Sequence, residues 1–240
     1  MTISIDRNRN GIPYLCKRDI EEIAYTYLKR FNTELLKSPA PTPIEQFVEN
    51  YLKLEMDYID ITPDESVLGM TIFDSGFITV YNSENQSKRN VFVKEGTVVI
   101  ENALLKPSQE NRYRFTCGHE AGHWILHRNV FKKLIQTNTK ANICLERNVR
   151  NMPKKKLETD EDWMEWQANY LCSCLLMPQM TFRYAAYNIL RKAGIKADYV
   201  NNAYAGIFYY ICSKLADAFN VSLQAAYIRL KELNIIRETL

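Results

Sequence analysis

His119-Glu-Ala-Gly-His123 sets two imidazoles four positions apart with a carboxylate between them. An α-helix turns once in about 3.6 residues, so positions i and i+4 share a face. Two imidazoles on that face can hold one zinc ion, and Glu120 can reach a water on the ion as a base. The chain has three histidines, and the third, His127, stands one further turn along. Phe115, Ala121, Trp124, Ile125 and Leu126 surround the motif with apolar area, which points to a packed helix. Gly118 and Gly122 each cost up to about 1 kcal/mol of helix propensity against alanine. They imply close approach by another backbone or a ligand, and a β-strand bearing a bound peptide would fit.

A catalytic zinc site takes three protein ligands and keeps one position open, so a third must come from elsewhere. His127 lies about 12 Å along the axis from His119 at 1.5 Å per residue. A straight helix cannot bring all three histidines to one ion, and His127 is expected at the helix C-terminus, where a donor or cation is favoured. A metzincin needs a glycine and a histidine at fixed distances past the motif; Leu126 and Asn129 stand there instead. Glu165-Trp-Gln-Ala-Asn169 offers a carboxylate and an amide oxygen one turn apart, the arrangement a gluzincin needs. Glu165 is then the better candidate for the third ligand, with Asn169 placed to accept the outer N–H of a ligand histidine. Asp160, Glu161 and Asp162 read as charge at a helix N-terminus.

These residues need two helices to carry them. Residues 112–127 read as the first. The second starts at Thr159, which with Asp162 resembles a capping box, and ends before Pro178. Upstream, residues 18–36 and 44–54 read as helices, separated by the Pro-rich segment 38–43. Residues 56–61, 67–73 and 77–81 look like strands, with Asp74-Ser-Gly76 as a hairpin turn. Residues 91–93 and 97–100 suggest a second hairpin around Lys94-Glu-Gly96, and the polar stretch 82–90 reads as a surface loop. Residues 131–156 lack a clear period, and Lys154-Lys-Lys156 reads as a solvated loop. Residues 182–240 read as three or four helices. The class is α+β: a small β-sheet with a helix pair carrying the site, then a helical C-terminal region.

Composition adds bounds. In 240 residues, 46% are hydrophobic and 25% charged, an ordinary globular balance with enough apolar material for a core. The formal charge of +3 is too small to argue for nucleic acid. No run approaches the roughly 20 apolar residues of a membrane span, and Met1 to Asn10 has no apolar signal core. A cytoplasmic location is expected. The six cysteines match no CxxC or zinc-finger spacing and read as free thiols, several of them buried.

Arg114-Phe-Thr116, His119-Glu-Ala-Gly-His123, Leu126-His127, Glu165-x-Gln-Ala-Asn169 and Leu175-Leu-Met-Pro178, in this order, resemble the ImmA/IrrE metallo-endopeptidase family. The resemblance covers residues 91–180 most closely and extends weakly over the N-terminal helices and strands 69–82. It implies a zincin-like fold, with His119, His123 and Glu165 as zinc ligands and Glu120 as catalytic base. Where Gln167 stands the family often has a second acid, so Glu165 is the only carboxylate of that block. On this reading residues 1–180 are the peptidase domain, with helices in 1–55, sheet in 56–105 and metal-site helices in 108–178. Residues 181–240 are the C-terminal helical region.

The resemblance also implies a partner. Members are often encoded beside an Xre-type helix-turn-helix repressor on mobile elements, and relieve repression by cleaving it or acting on it. Residues 215–230 themselves have the outline of a helix-turn-helix, with Ser222 as N-cap. The second helix offers only Gln224, Arg229 and Lys231 as readers, so packing is favoured over DNA binding. Two rival readings stay open: a metal-containing module that displaces a repressor without cutting it, and a DNA-binding regulator. His, His and Glu suit zinc best, with manganese or iron as alternatives. A substrate strand is expected along a sheet edge, with 77–81 and 97–100 as edge candidates.

Overall fold

The computed structural model describes residues 11–136, 143–147, 157–195, 199–200 and 205–237. The tri-lysine loop at 154–156 lies outside them. The chain divides into two compact units, Met1–Arg18 with Ile44–Cys172, and Asp19–Pro43 with Ser173–Leu240.

The first unit holds the strands β1 (Glu55–Ile59), β2 (Val67–Ile72), β3 (Gly76–Asn82), β4 (Ser87–Val93), β5 (Thr97–Glu101) and β6 (Ile143–Arg147). Four of them form one sheet in the order β1-β5-β2-β6, and β3 and β4 form a separate two-stranded ribbon. β5 pairs parallel to β1 and antiparallel to β2, and β6 is antiparallel to β2. The mixed α+β class of the sequence reading stands, but the strand pairing does not. Neither expected hairpin forms. β2 does not pair β3, nor β4 β5; the true reversal is at residues 83–86, inside the stretch read as a loop.

The two expected turns are instead the exit and re-entry points of the ribbon. Glu95 N donates to Ser75 Oγ at 2.9 Å, and Gly96 N donates to the Ile72 carbonyl at 2.9 Å. Turn-forming residues mark where a chain bends, not which strands meet afterwards. Gly96 adopts φ +83°, open to glycine at little cost, so this bend is built into the sequence. The ribbon is fixed by apolar alternation. Ile78, Val80 and Val93 bury with Met70, Ile72 and Val99 of the main sheet, while Phe77 and Phe92 stay exposed on the other side. β5 is flanked on both sides, so residues 97–100 are not an edge.

A short helical segment, α2 (Ile44–Gln46), precedes the sheet, and the helix α3 runs Glu110–Gln136, 27 residues, well past the expected end at His127. No glycine or proline intervenes, and Val130 and Phe131 continue the buried face with Ile12, Phe73 and Met164. On the outer side Arg128 and Lys132, one turn apart, both reach Glu95, at 2.9 and 3.7 Å. The helix α4 runs Asp160–Leu176. Its start is a reciprocal cap as expected: Asp162 N donates to Thr159 Oγ1 at 3.1 Å and Thr159 N to Asp162 Oδ2 at 3.0 Å.

The helices α3 and α4 meet through small residues. A Cβ on Gly122 would stand 3.0 Å from the Ala168 carbonyl oxygen and 3.1 Å from its Cα. A Cβ on Gly118 would stand 2.8 Å from Cys172 Sγ. The expectation of close approach thus holds, but the neighbour is the α4 helix, not a strand with a bound peptide. Since Gly118 faces Cys172 and Gly122 faces Ala168, the two helices run antiparallel. Cys172, buried, donates its thiol proton to the Phe115 carbonyl at 3.3 Å.

In the second unit α1 (Lys17–Phe31) buries Ile20, Ala24 and Leu28, and Asn32 caps the short turn that follows. With it stand α5 (Gln179–Lys192), α6 (Ala205–Phe219) and α7 (Leu223–Glu232). Ser222 caps α7, its hydroxyl accepting from Ala225 N at 3.1 Å, as its sequence position implied. Arg229 is fully buried: its two terminal nitrogens grip Glu21 at 2.7 and 3.0 Å, and Nε donates to the Met177 carbonyl. One of the three side chains counted as a DNA reader is therefore committed inside this unit.

Gly122→Val should destabilise the protein by about 1–3 kcal/mol, because a branched side chain must push back the α4 backbone. Gly206→Ala, in α6 with nothing within 4 Å of the added Cβ, should instead stabilise by up to about 1 kcal/mol. Urea unfolding of the two variants against wild type measures both.

Candidate metal centre

The approach at Gly118 and Gly122 decides what α4 can offer α3. His119 and His123 project from one face of α3, fully buried, with their Nε2 atoms 2.9 Å apart. Glu165 of α4 lies across from them, Oε2 at 3.3 Å from His119 Nε2 and Oε1 at 3.3 Å from His123 Nε2. The Glu165 side chain is 35% exposed, so the cluster is walled by imidazoles behind and opens towards water at the carboxylate. Among the described residues this is the one group of three such side chains with its donor atoms within 4.8 Å of one another.

Each ring's outer nitrogen has its own partner. His119 Nδ1 lies 3.0 Å from Asn169 Oδ1, which can only accept, so that nitrogen carries the proton and Nε2 keeps its lone pair. His123 Nδ1 lies 3.1 Å from His127 Nδ1, and His127 Nε2 lies 2.9 Å from Gln167 Oε1. His127 is therefore not a helix-terminal residue: α3 continues past it, and it is buried beside His123. Burial, and next the neighbouring His123, pushes its pKa down to about 3.

The electrostatics call for a cation. Burial alone would raise the pKa of Glu165, but the two imidazoles outweigh it and hold the carboxyl below its ordinary range. Burial, then His119, pushes His123 down, against taking up a proton. A charged carboxylate thus faces rings that resist becoming charged. A divalent ion among the three would satisfy both sides. Tetrahedral ligands about 2.1 Å from one zinc ion would stand roughly 3.4 Å apart, against 3.3, 3.3 and 2.9 Å here. The donor set fits such an ion.

Glu120 is placed differently. It is fully buried on the side of α3 that faces β2, where Oε2 accepts from Thr71 Oγ1 at 2.6 Å. The same hydroxyl lies 3.0 Å from the Glu120 backbone carbonyl. Two residues earlier on the same strand face is Gly69, where a Cβ would stand 2.8 Å from Glu120 Oε1 and 2.7 Å from Thr116 Cγ2. Only glycine leaves room for this carboxylate. Sequence reasoning missed Thr71, His127 and Gln167 as parts of the site. The Gly69-x-Thr71 spacing was the available signal, since a glycine inside a strand marks close approach.

A helix bearing two histidines and a glutamate, crossed by a second helix that adds a carboxylate, is the donor arrangement of zincin-type metal centres. A family model of the IrrE N-terminal-like domain, peptidase family M78, matches residues 82–231, more than half the chain. The chain belongs to this metallopeptidase family. No curated protein matches it. No helix among the described residues is long and apolar enough to cross a membrane.

Thr71→Val keeps the volume but strips a buried carboxylate oxygen of its donor. It should cost about 1–3 kcal/mol, and Thr71→Ser should recover most of it. Denaturant unfolding of the pair measures this.

Proposed function

We propose that the protein is a zinc-dependent endopeptidase, with His119, His123 and Glu165 as metal ligands and Glu120 as the catalytic base. The observation that carries this reading is the convergence of Glu165 on the two Nε2 atoms. A bound zinc ion supplies Lewis acidity, polarising the scissile carbonyl and acidifying water. Asn169 holds His119 in the tautomer that leaves Nε2 available. Thr71 fixes one oxygen of Glu120, so the carboxylate is oriented before substrate arrives. Glu120 takes a proton from the attacking water as the new C–O bond forms. It passes that proton to the leaving nitrogen as the C–N bond breaks. The exposed side of Glu165 is the entry for both water and peptide.

The substrate is proposed to be a helix-turn-helix transcriptional repressor of the Xre type, whose cleavage relieves repression in a mobile element or stress response. Of the two edge candidates, only residues 77–81 remain at an edge, in the ribbon. β1 and β6 flank the main sheet as further edges on which a substrate strand could add. The cytoplasm is where such a repressor would be met.

The test is incubation of the neighbouring-gene repressor with zinc-loaded wild type and zinc-loaded Glu120→Gln, with metal content measured in both. Wild type should cut at a defined bond, and the variant should lose about 10²–10⁴-fold in kcat. Relief of repression by both without any cut would make the protein a metal-stabilised binding module. His119→Ala or Glu165→Ala should lower zinc below one ion per chain, read by atomic absorption after dialysis.

A further inference from the structure

Behind the metal cluster runs a chain of hydrogen bonds that ends on the N-terminal segment. Beyond His123, His127 and Gln167, the Gln167 side-chain nitrogen donates to the Pro13 carbonyl at 2.7 Å. Pro13 is buried, and its neighbour Ile12 packs with Phe73, Val130, Phe131 and Met164, so this carbonyl is held by the core.

The direction of every bond in the chain follows from this end. A backbone carbonyl can only accept, so the atom of Gln167 beside it must be the NH2 group. The amide oxygen is then the atom facing His127 Nε2, and it too can only accept. His127 must carry its proton on Nε2. A neutral imidazole has one N–H, so His127 Nδ1 is an acceptor, and the atom facing it, His123 Nδ1, must donate. The proton on His123 therefore lies on the outer nitrogen, and the inner Nε2 presents a lone pair beside Glu165. The opposite polarity would put two hydrogen-bond acceptors, the amide oxygen and the Pro13 carbonyl, 2.7 Å apart.

We propose that His127 and Gln167 are positioning residues that hold His123 in the metal-binding tautomer, with the direction of the relay set by the Pro13 carbonyl. Neither touches the ion; each acts through the next. The relay uses the amide of Gln167 at both ends, as acceptor for His127 and as donor to Pro13. A carboxylate at this position could do only the first. The relay rests on the reading of His123 as a ligand; its tautomers can be read without an ion, although the two inner nitrogens they leave bare stand 2.9 Å apart, a crowding that a cation between them would relieve.

That separation sets the test. A long-range proton–nitrogen correlation spectrum of the nitrogen-15-labelled, metal-free full chain reports which nitrogen of each ring bears the proton. His123 should be protonated at Nδ1 and His127 at Nε2; His123 protonated at Nε2, or His127 at Nδ1, overturns the proposal. Zinc affinity is then measured by competition with a chromophoric chelator. Gln167→Met, close in volume but without either hydrogen bond, should bind zinc about 10–100-fold more weakly. Gln167→Glu, which still accepts from His127, should bind zinc far more tightly than the methionine variant. Equal affinity in wild type and Gln167→Met, both folded by circular dichroism, overturns the relay. If wild type binds no zinc, or His123→Ala binds it as well as wild type, the ligand assignment fails instead, and the spectrum still decides the tautomers.

Discussion

Everything at the His119–His123–Glu165 cluster depends on how near two helix backbones can come. At Gly122 of α3 the opposing surface is the Ala168 backbone itself, and at Gly118 it is the Cys172 sulfur. Glycine weakens an isolated helix, so its use twice on one face has to be offset by packing. What the approach gains is reach. Glutamate has a short side chain, and Glu165 spans to two imidazoles of the neighbouring helix only because nothing larger than hydrogen separates the helices at this point. The glycines thus set the geometry of the His119–His123–Glu165 cluster, although neither offers a donor atom to it.

A second consequence of the packing is electrical. The histidines are sealed from water while the carboxylate keeps part of its surface in solvent. Buried imidazoles resist protonation, and an ionised carboxylate at van der Waals range needs positive charge. A divalent cation at this point would meet both demands at once. Glu120, by contrast, is settled against β2 by the Thr71 hydroxyl. Two glutamates of similar chemistry are so given different surroundings, one open to solvent beside the rings and one fully buried against a strand.

The helices and the shared face of His119 and His123 were legible in the sequence because both are local. The four-residue spacing of His119 and His123 fixes a shared face whatever the tertiary fold, and the Thr159–Asp162 cap writes the start of α4 directly. Glu165 was legible as a companion to Asn169 within one turn. What could not be read was pairing over distance. Asp74-Ser-Gly76 and Lys94-Glu-Gly96 have turn chemistry, yet the partners of the flanking strands are decided by which apolar faces meet, and β1 joins β5 across the whole ribbon. β6 pairs β2 from a stretch with no clear period. The partners of His127 and Glu120 went unread for the same reason: Gln167 and Thr71 are far away in sequence, and only the glycine two residues before Thr71 hinted at a close approach.

The ribbon has a consequence for the route by which the chain folds. β2 and β5 are neighbours in the sheet but are separated in sequence by β3, β4 and their turn. Closing a long flexible loop costs entropy that rises with its length. The β3–β4 hairpin is local, with its reversal at residues 83–86, and a hairpin of this kind can zip early. Once zipped, it brings Ile72 and Gly96 close together, joined by their own hydrogen bond. The non-local β2–β5 pairing is then nearly a local one. The excursion that looks like an interruption of the sheet thus lowers its effective contact order, so substitutions that weaken the ribbon would register first in the rate of folding.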